Sequence, residues 1–145
     1  MMRHTDFSLD FLSDPTVYEV NRLPAVSDHP VYLTEKEERE GASSLSMLLD
    51  GQWKFSYAVV PKDRPIGFEA PDYDVTGWSE ISVPGHIQLQ GYGTPHYVNT
   101  QYPWNGHESL TPPQIPRYFN PVGSYVRFFS APGFYLDKRV TLVFH

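Results

Sequence analysis

Leu49-Asp50-Gly51-Gln52-Trp53-Lys54-Phe55-Ser56-Tyr57 is the stretch on which the fold turns. Trp53, Phe55 and Tyr57 alternate with Gln52, Lys54 and Ser56. Successive side chains of a strand point to opposite faces, so this period of two predicts a half-buried strand with one aromatic face. Immediately upstream, Leu45, Met47 and Leu49 also recur at every second position, and Asp50-Gly51 is a tight-turn pair. The two runs together predict a hairpin. Farther out, Ile81 and Val83 predict a short strand before Pro84-Gly85. Alternation returns at Gly123-Ser124-Tyr125-Val126-Arg127-Phe128-Phe129 and at Arg139-Val140-Thr141-Leu142-Val143-Phe144. Short strands, frequent turn residues and almost no helix signal predict an all-β sandwich of two sheets. The last run reaches His145 with no turn or cap, the pattern of a sandwich truncated before its last strands.

The rest of the chain is less regular. Glu35-Lys36-Glu37-Glu38-Arg39-Glu40 predicts a solvated turn or short helix in which Lys36 can pair with Glu40. Residues 92–121 form a long segment dense in Pro, Gly, Asn and Tyr. A loop of that length is uncommon in a compact domain unless it has a task.

Composition narrows the function. A chain of 145 residues is one domain or less, able to bury roughly 68–70% of its unfolded surface if it closes a core. A net charge of -6 argues against nucleic acid or an anionic membrane as the main partner, since either calls for a basic face. With no cysteine, disulfides, thiolate metal sites and a cysteine nucleophile are excluded. Asp6 and Asp10 interrupt the start of the chain, which therefore does not read as a signal peptide. No run approaches the roughly 20 apolar residues of a membrane span, and a cytoplasmic protein is expected.

Catalytic patterns are missing. There is no Gly-x-Ser-x-Gly elbow and no phosphate-binding glycine loop. His86, His96 and His107 match no zinc spacing and read as ordinary loop residues. Glycoside cleavage needs two carboxylates, about 5–5.5 Å apart in a retaining enzyme. Glu69, Asp72, Asp74 and Glu80 lie in turn-like sequence and read as solvated acids. The chain is also far shorter than a catalytic (β/α)₈ barrel of roughly 250 residues. What remains is Tyr97-Val98-Asn99-Thr100-Gln101-Tyr102-Pro103-Trp104-Asn105-Gly106. Its amides can both donate to and accept from sugar hydroxyls, and its rings offer flat apolar faces, although aromatic loop packing accounts for the same residues.

Five motifs, in order along the chain, resemble the family 2 β-galactosidases. Asn21-Arg22-Leu23-Pro24 with Ser27-Asp28-His29-Pro30 is similar to the opening of that family. Leu49-Asp50-Gly51-Gln52-Trp53-Lys54-Phe55 resembles its L-N/D-G-x-W-x-F strand, and Val83-Pro84-Gly85-His86-Ile87-Gln88 its V-P-x-x-x-Q turn. Tyr97-Val98-Asn99 through Tyr102-Pro103 resembles the Y-x-N-x-x-Y-P loop, and Asn120-Pro121-Val122-Gly123-Ser124-Tyr125 the N-P-x-G-x-Y strand entry.

The resemblance implies an extended amino-terminal arm over residues 1–42 and a partial jelly-roll sugar-binding domain over 43–145. It implies hydrolysis of terminal β-D-galactose residues by the longer enzyme, whose catalytic glutamates lie in a later barrel. No catalytic residue is therefore assigned here. Asn99 matches the family's loop asparagine and is the expected substrate contact, the alternative being an asparagine that only stabilises the loop. Magnesium and sodium are implied for the longer enzyme, with no metal ligand on this chain. The expected partners are a galactoside, the remaining domains or a second subunit, and further copies in a homo-oligomer. Two other readings stand beside this one: a stand-alone carbohydrate-binding module, and another family 2 member such as a β-glucuronidase or β-mannosidase.

Overall fold

The computed structural model describes residues 8–25, 29–97, 99 and 101–144. The chain start at residues 1–7, the Ser27-Asp28 part of the opening motif, Val98 and Thr100 of the loop motif, and His145 lie outside the described residues. The described structure is an open antiparallel sheet of three strands: β1 (Gly51–Ala58), β2 (Ser79–Val83) and β3 (Val122–Val126). The spatial order is β2-β1-β3, with β1 in the middle. Phe55 lies opposite Ser79 on one side and Tyr125 on the other, and Trp53 lies opposite Ile81.

The aromatic alternation sets the core. Phe55 and Ile81 are each 1% exposed and lie on the same face as Trp53 and Tyr57. The Phe55 ring sits 4.8 Å from that of Tyr125 and 4.6 Å from that of Tyr92, which folds over the sheet from the following loop. Aromatic rings prefer such tilted and edge-to-face contacts. On the opposite face Ala58 and Ser124 are buried, and Lys54 and Glu80 form a cross-strand ion pair at 3.1 Å.

Gly123 makes the packing possible by its lack of a side chain. It is the cross-strand neighbour of Tyr57, and a Cβ there would stand 2.7 Å from Phe55 Cε2 and 3.1 Å from Tyr125 Cε2. Glycine in a strand is ordinarily a weakness that alanine relieves. Here the fully buried Phe55 ring reverses the sign, and overpacking of this kind costs about 1–3 kcal/mol. Gly123→Ala is expected to lower the urea midpoint at unchanged slope. An unchanged or raised midpoint would show that the ring has room to move.

Three sequence expectations are corrected. Residues 45–49 are not a strand, and Asp50-Gly51 is not a hairpin turn. Gly51 does have the left-handed φ of 120° that such a pair favours, but it opens β1, opposite Val83. A central strand has only two edges, and those of β1 go to β2 and β3. Upstream of the β3 pairing the Arg127 guanidinium donates to Gln52 O, and the Trp53 indole donates to Leu49 O at 2.7 Å. Secondly, the run at 123–129 is a strand only as far as Val126. Thirdly, residues 139–144 join no strand of the described residues; Val140, Leu142, Val143 and Phe144 are exposed. Alternation marks a chain able to pair, and pairing needs a free edge within reach. Among the described residues the strands form one open antiparallel sheet, in keeping with an all-β domain.

The charge run forms α1 (Glu35–Glu40), capped at its start by Thr34 and at its end by Gly41. The Lys36–Glu40 ion pair forms at 3.8 Å on its exposed surface. Among the described residues no helix is long and apolar enough to cross a membrane.

Candidate functional site

Residues 92–121 leave the sheet after β2 and return to it at β3. None of the described residues among them joins a strand, and side chains add to the few backbone turn bonds that hold the loop's shape. Glu108 is the principal tie: its carboxylate accepts from the backbone N–H of Arg117 (2.9 Å), Tyr118 (2.6 Å) and Phe119 (2.9 Å). Next to it the His107 ring stacks on Phe119 at 3.8 Å, and His96 meets Phe119 edge-on at 5.3 Å. Both histidine rings thus pack against Phe119.

Partial burial works to raise the Glu108 pKa, but the three N–H donors and the nearby Arg117 charge outweigh it and hold the carboxyl below its ordinary value. A carboxyl with a depressed folded-state pKa contributes above its unfolded pKa and loses that contribution as pH falls through the folded value. Protection of the amides of residues 117–119, taken relative to their intrinsic exchange rate at each pH, is therefore expected to hold at neutral pH and to fall only below the usual glutamate range. Glu108→Gln, which loses the charge and one acceptor oxygen, should speed exchange at neutral pH. Equal exchange in variant and parent would show that the ring stack alone holds the loop.

At the outer end of the loop Tyr102 and Trp104 stack with centroids 4.7 Å apart and planes within 4°. They line an open groove of about 560 Å³ with Asn105, Glu108, Leu110 and Gln114. Glu108 and Gln114 are committed on that side: Glu108 holds the loop, and Gln114 accepts from Thr111 N at 3.1 Å. The groove thus offers stacking faces and neutral amides, with no carboxylate free to move a proton. Asn99, the expected sugar contact, is exposed on the same loop.

The four acids weighed earlier are all exposed. Asp74 accepts from the Thr76 hydroxyl at 2.7 Å and from its N–H at 2.9 Å, and the Thr76 side chain, then its N–H, hold Asp74 below the ordinary carboxylate value. Glu80 pairs with Lys54. A general acid for glycoside cleavage needs the opposite displacement, a raised pKa. Among the described residues no group of three or more His, Asp or Glu side chains could hold a metal ion.

Two residues that sequence reasoning passed over organise the approach to the loop. Gln90 accepts from Ser82 N at 2.8 Å and donates to Ser82 O at 3.0 Å, so its amide pairs with the outer edge of β2 as a peptide group would. Gly85 leaves it room, since a Cβ there would lie 2.7 Å from Gln90 Nε2. The turn motif drew attention to Gln88, two positions earlier. The second is Glu108, a single acid in a Pro- and Gly-rich loop, whose partners follow nine to eleven residues on with no local pattern.

Comparison with known proteins defines the class. The profile described as glycosyl hydrolases family 2, sugar binding domain, matches residues 47–145, which includes all three strands and the whole loop. The chain belongs to that family. Its relatives include a β-galactosidase of Halalkalibacterium halodurans, 52% identical over 88% of this chain. Another is a β-galactosidase of Lactobacillus delbrueckii subsp. bulgaricus, 47% identical over 94%. A protein of Leuconostoc lactis named β-galactosidase large subunit is 39% identical over 94%. The chain spans 13% of the length of each of the first two and 24% of the third.

Proposed function

We propose that this chain is the amino-terminal, sugar-binding-domain part of a β-galactosidase that hydrolyses terminal non-reducing β-D-galactose residues. The observation that carries the reading is the 52% and 47% identity to proteins named β-galactosidase over most of this chain. In the proposal residues 1–42 are an arm and residues 43–145 part of a jelly roll. The three-stranded sheet is one portion of that jelly roll, and the strands of its second layer lie elsewhere in the polypeptide. The catalytic carboxylate pair lies elsewhere too, and the remaining domains or a second subunit supply it. The large-subunit name of the Leuconostoc relative supports the second arrangement. Magnesium, sodium and a cytoplasmic homo-oligomer belong to the proposed longer enzyme.

The chain's own contribution is one wall of the sugar site, from the loop at residues 92–121. Asn99 donates and accepts through its amide at galactosyl hydroxyls. In the longer enzyme Asn99→Ala is expected to lower kcat/KM by the worth of one hydrogen bond, about 0.5–1.5 kcal/mol or roughly two- to tenfold. If the bond tightens as the sugar flattens, kcat falls as well and KM alone does not explain the loss. Kinetics identical to the parent enzyme would remove Asn99 from the site.

Activity of the longer enzyme tests the reading as a whole. o-Nitrophenyl β-D-galactoside should be hydrolysed, and the corresponding glucuronide and mannoside should not. Preference for either of the latter would move the protein to another activity within the family, and turnover of none would favour a binding module.

A further inference from the structure

Asn105-Gly106 is the one place in the sequence where an asparagine precedes a glycine. An asparagine Cγ lies within reach of the next residue's backbone nitrogen, and bond formation between them closes a five-membered ring. Three features of a folded chain hold this reaction back. They are a side chain on the following residue, an acceptor that occupies the attacking N–H, and a partner that fixes the asparagine amide.

Asn105 has none of the three among the described residues. Gly106 has no side chain, and its φ of 86° lies in the left-handed region that glycine enters freely. A Cβ added there would meet nothing within 4 Å, so the space beside the backbone is open. Backbone bonds hold the turn on either side of Gly106 without using it. Asn105 N–H donates to Tyr102 O at 3.0 Å, and His107 and Glu108 N–H both donate to Trp104 O, at 2.9 and 3.1 Å. Gly106 N–H has no acceptor among the described residues, and the Asn105 side-chain amide has no partner there. Both residues are exposed, so water and base reach them.

The other three asparagines supply the contrast. Asn120 precedes Pro121, which has no N–H to attack with, and its amide donates to Pro116 O at 3.4 Å. Asn21 and Asn99 precede Arg22 and Thr100, residue types that carry a side chain next to the attacking nitrogen.

We infer that Asn105 is a site of spontaneous deamidation in the folded protein. The Gly106 nitrogen gives its proton to base and attacks Asn105 Cγ. A C–N bond forms, the Cγ–Nδ2 bond breaks, and Nδ2 takes up a proton and leaves as ammonia. Water then opens the succinimide at either of its carbonyls, giving aspartate or isoaspartate. The sum consumes one water and releases one ammonia, with no change in oxidation state. Either product puts a carboxylate on the wall of the groove that Trp104 and Glu108 also line, where a neutral amide stood. Isoaspartate also lengthens the main chain by one atom inside the turn that Trp104 O closes, beside the Tyr102–Trp104 stack. The inference does not depend on which sugar the longer enzyme cleaves.

Peptide mass spectrometry tests it, on the longer enzyme kept native in mildly alkaline water enriched in oxygen-18. The label marks conversions made during the incubation, and fragment spectra assign the position. Asn105 should convert on the order of ten times faster than Asn21 or Asn99, and the rate should fall as the buffer is made acidic. It should also stay close to the rate in urea-unfolded protein, because no opening of the fold is needed first. Part of the product should accept a methyl group from an isoaspartate-specific methyltransferase. Asn105→Gln, which would need a six-membered ring, should abolish the labelled product at that position. An Asn105 that survives in the native protein but converts in urea would overturn the inference, since the fold would then shield it. Equal rates at Asn21 or Asn99 would remove the distinction drawn for Asn105. Labelled product without any isoaspartate, or at an unreduced rate in Asn105→Gln, would refute the ring-closing step. Conversion at Asn105 in a protein without galactosidase activity would leave the inference standing and remove only the proposed reaction.

Discussion

The purified 145-residue chain is expected to leave o-nitrophenyl β-D-galactoside unhydrolysed, and the proposed longer enzyme is expected to turn it over. Two carboxyl groups must flank the glycosidic oxygen, one protonated at neutral pH and the other ionised. Environment separates such a pair: an apolar pocket raises the pKa of one, and hydrogen bonds keep the other charged. Among the described residues the carboxyls with a displaced pKa sit in the second kind of environment. Asp14, Glu37, Asp74 and Glu108, the carboxyls whose pKa departs from the ordinary value, are all held below it, with hydrogen-bond donors among the causes for each. Glu80 is tied to Lys54, and Glu108 has three backbone donors on its two oxygens. The difference from the longer enzyme should span its whole catalytic acceleration, on the order of 10⁶-fold or more. Turnover by the short chain, in a preparation free of host enzyme, would mean that an acid on this chain has a raised pKa and a partner, contrary to the arrangement described.

The readable parts of the sequence were those where pattern and pairing coincide. Trp53-x-Phe55-x-Tyr57 announced a strand, and its neighbours β2 and β3 bury Phe55 and Ile81 as period-two alternation requires. The charge run likewise formed a solvated helix with its Lys36–Glu40 pair. Residues 45–49 and 139–144 show the limit of the method. Both alternate as strands do, yet neither pairs, because alternation specifies which faces a segment presents and says nothing about whether an edge is free. The loop was recognisable as a loop, and Asn99 stood out by resemblance. Its internal tie was hidden, because Glu108 meets residues 117–119 through backbone N–H groups, which every non-proline residue carries. Gly123 was visible within a motif, but only the Phe55 ring beneath it shows why a side chain is excluded there.

Self-association of the isolated chain is the other large effect expected. Leu136, Phe128, Phe129, Val140, Leu142, Val143 and Phe144 are all exposed, as are Tyr18, Val31 and Leu33 near the start. Single exposed apolar residues are normal, and what matters is how many occur within one stretch. Here eight, Phe134 included, fall between residues 128 and 144, in the stretch that follows β3. The solvent-exposed surface exceeds that of a compact monomer of this mass by about 4,800 Å², roughly six times the 800 Å² or so that one partner gives to a standard protein interface. A net charge of -6 opposes association only over a Debye length of about 8 Å at physiological salt, too short to keep apolar patches apart once molecules meet. Static light scattering at increasing concentration should therefore report a mass well above one chain, and salt should raise it further by screening the charge. Replacing Phe128 and Phe129 with lysine puts charge on the exposed continuation of β3, the way natural sheets protect an edge, and should shift the scattering towards the monomer without touching the Phe55 core. A monomer at all concentrations, unfolding in one cooperative step, would mean that this surface is covered in solution by the chain itself. The apolar run at 139–144 would then be the segment to look for on the β3 edge.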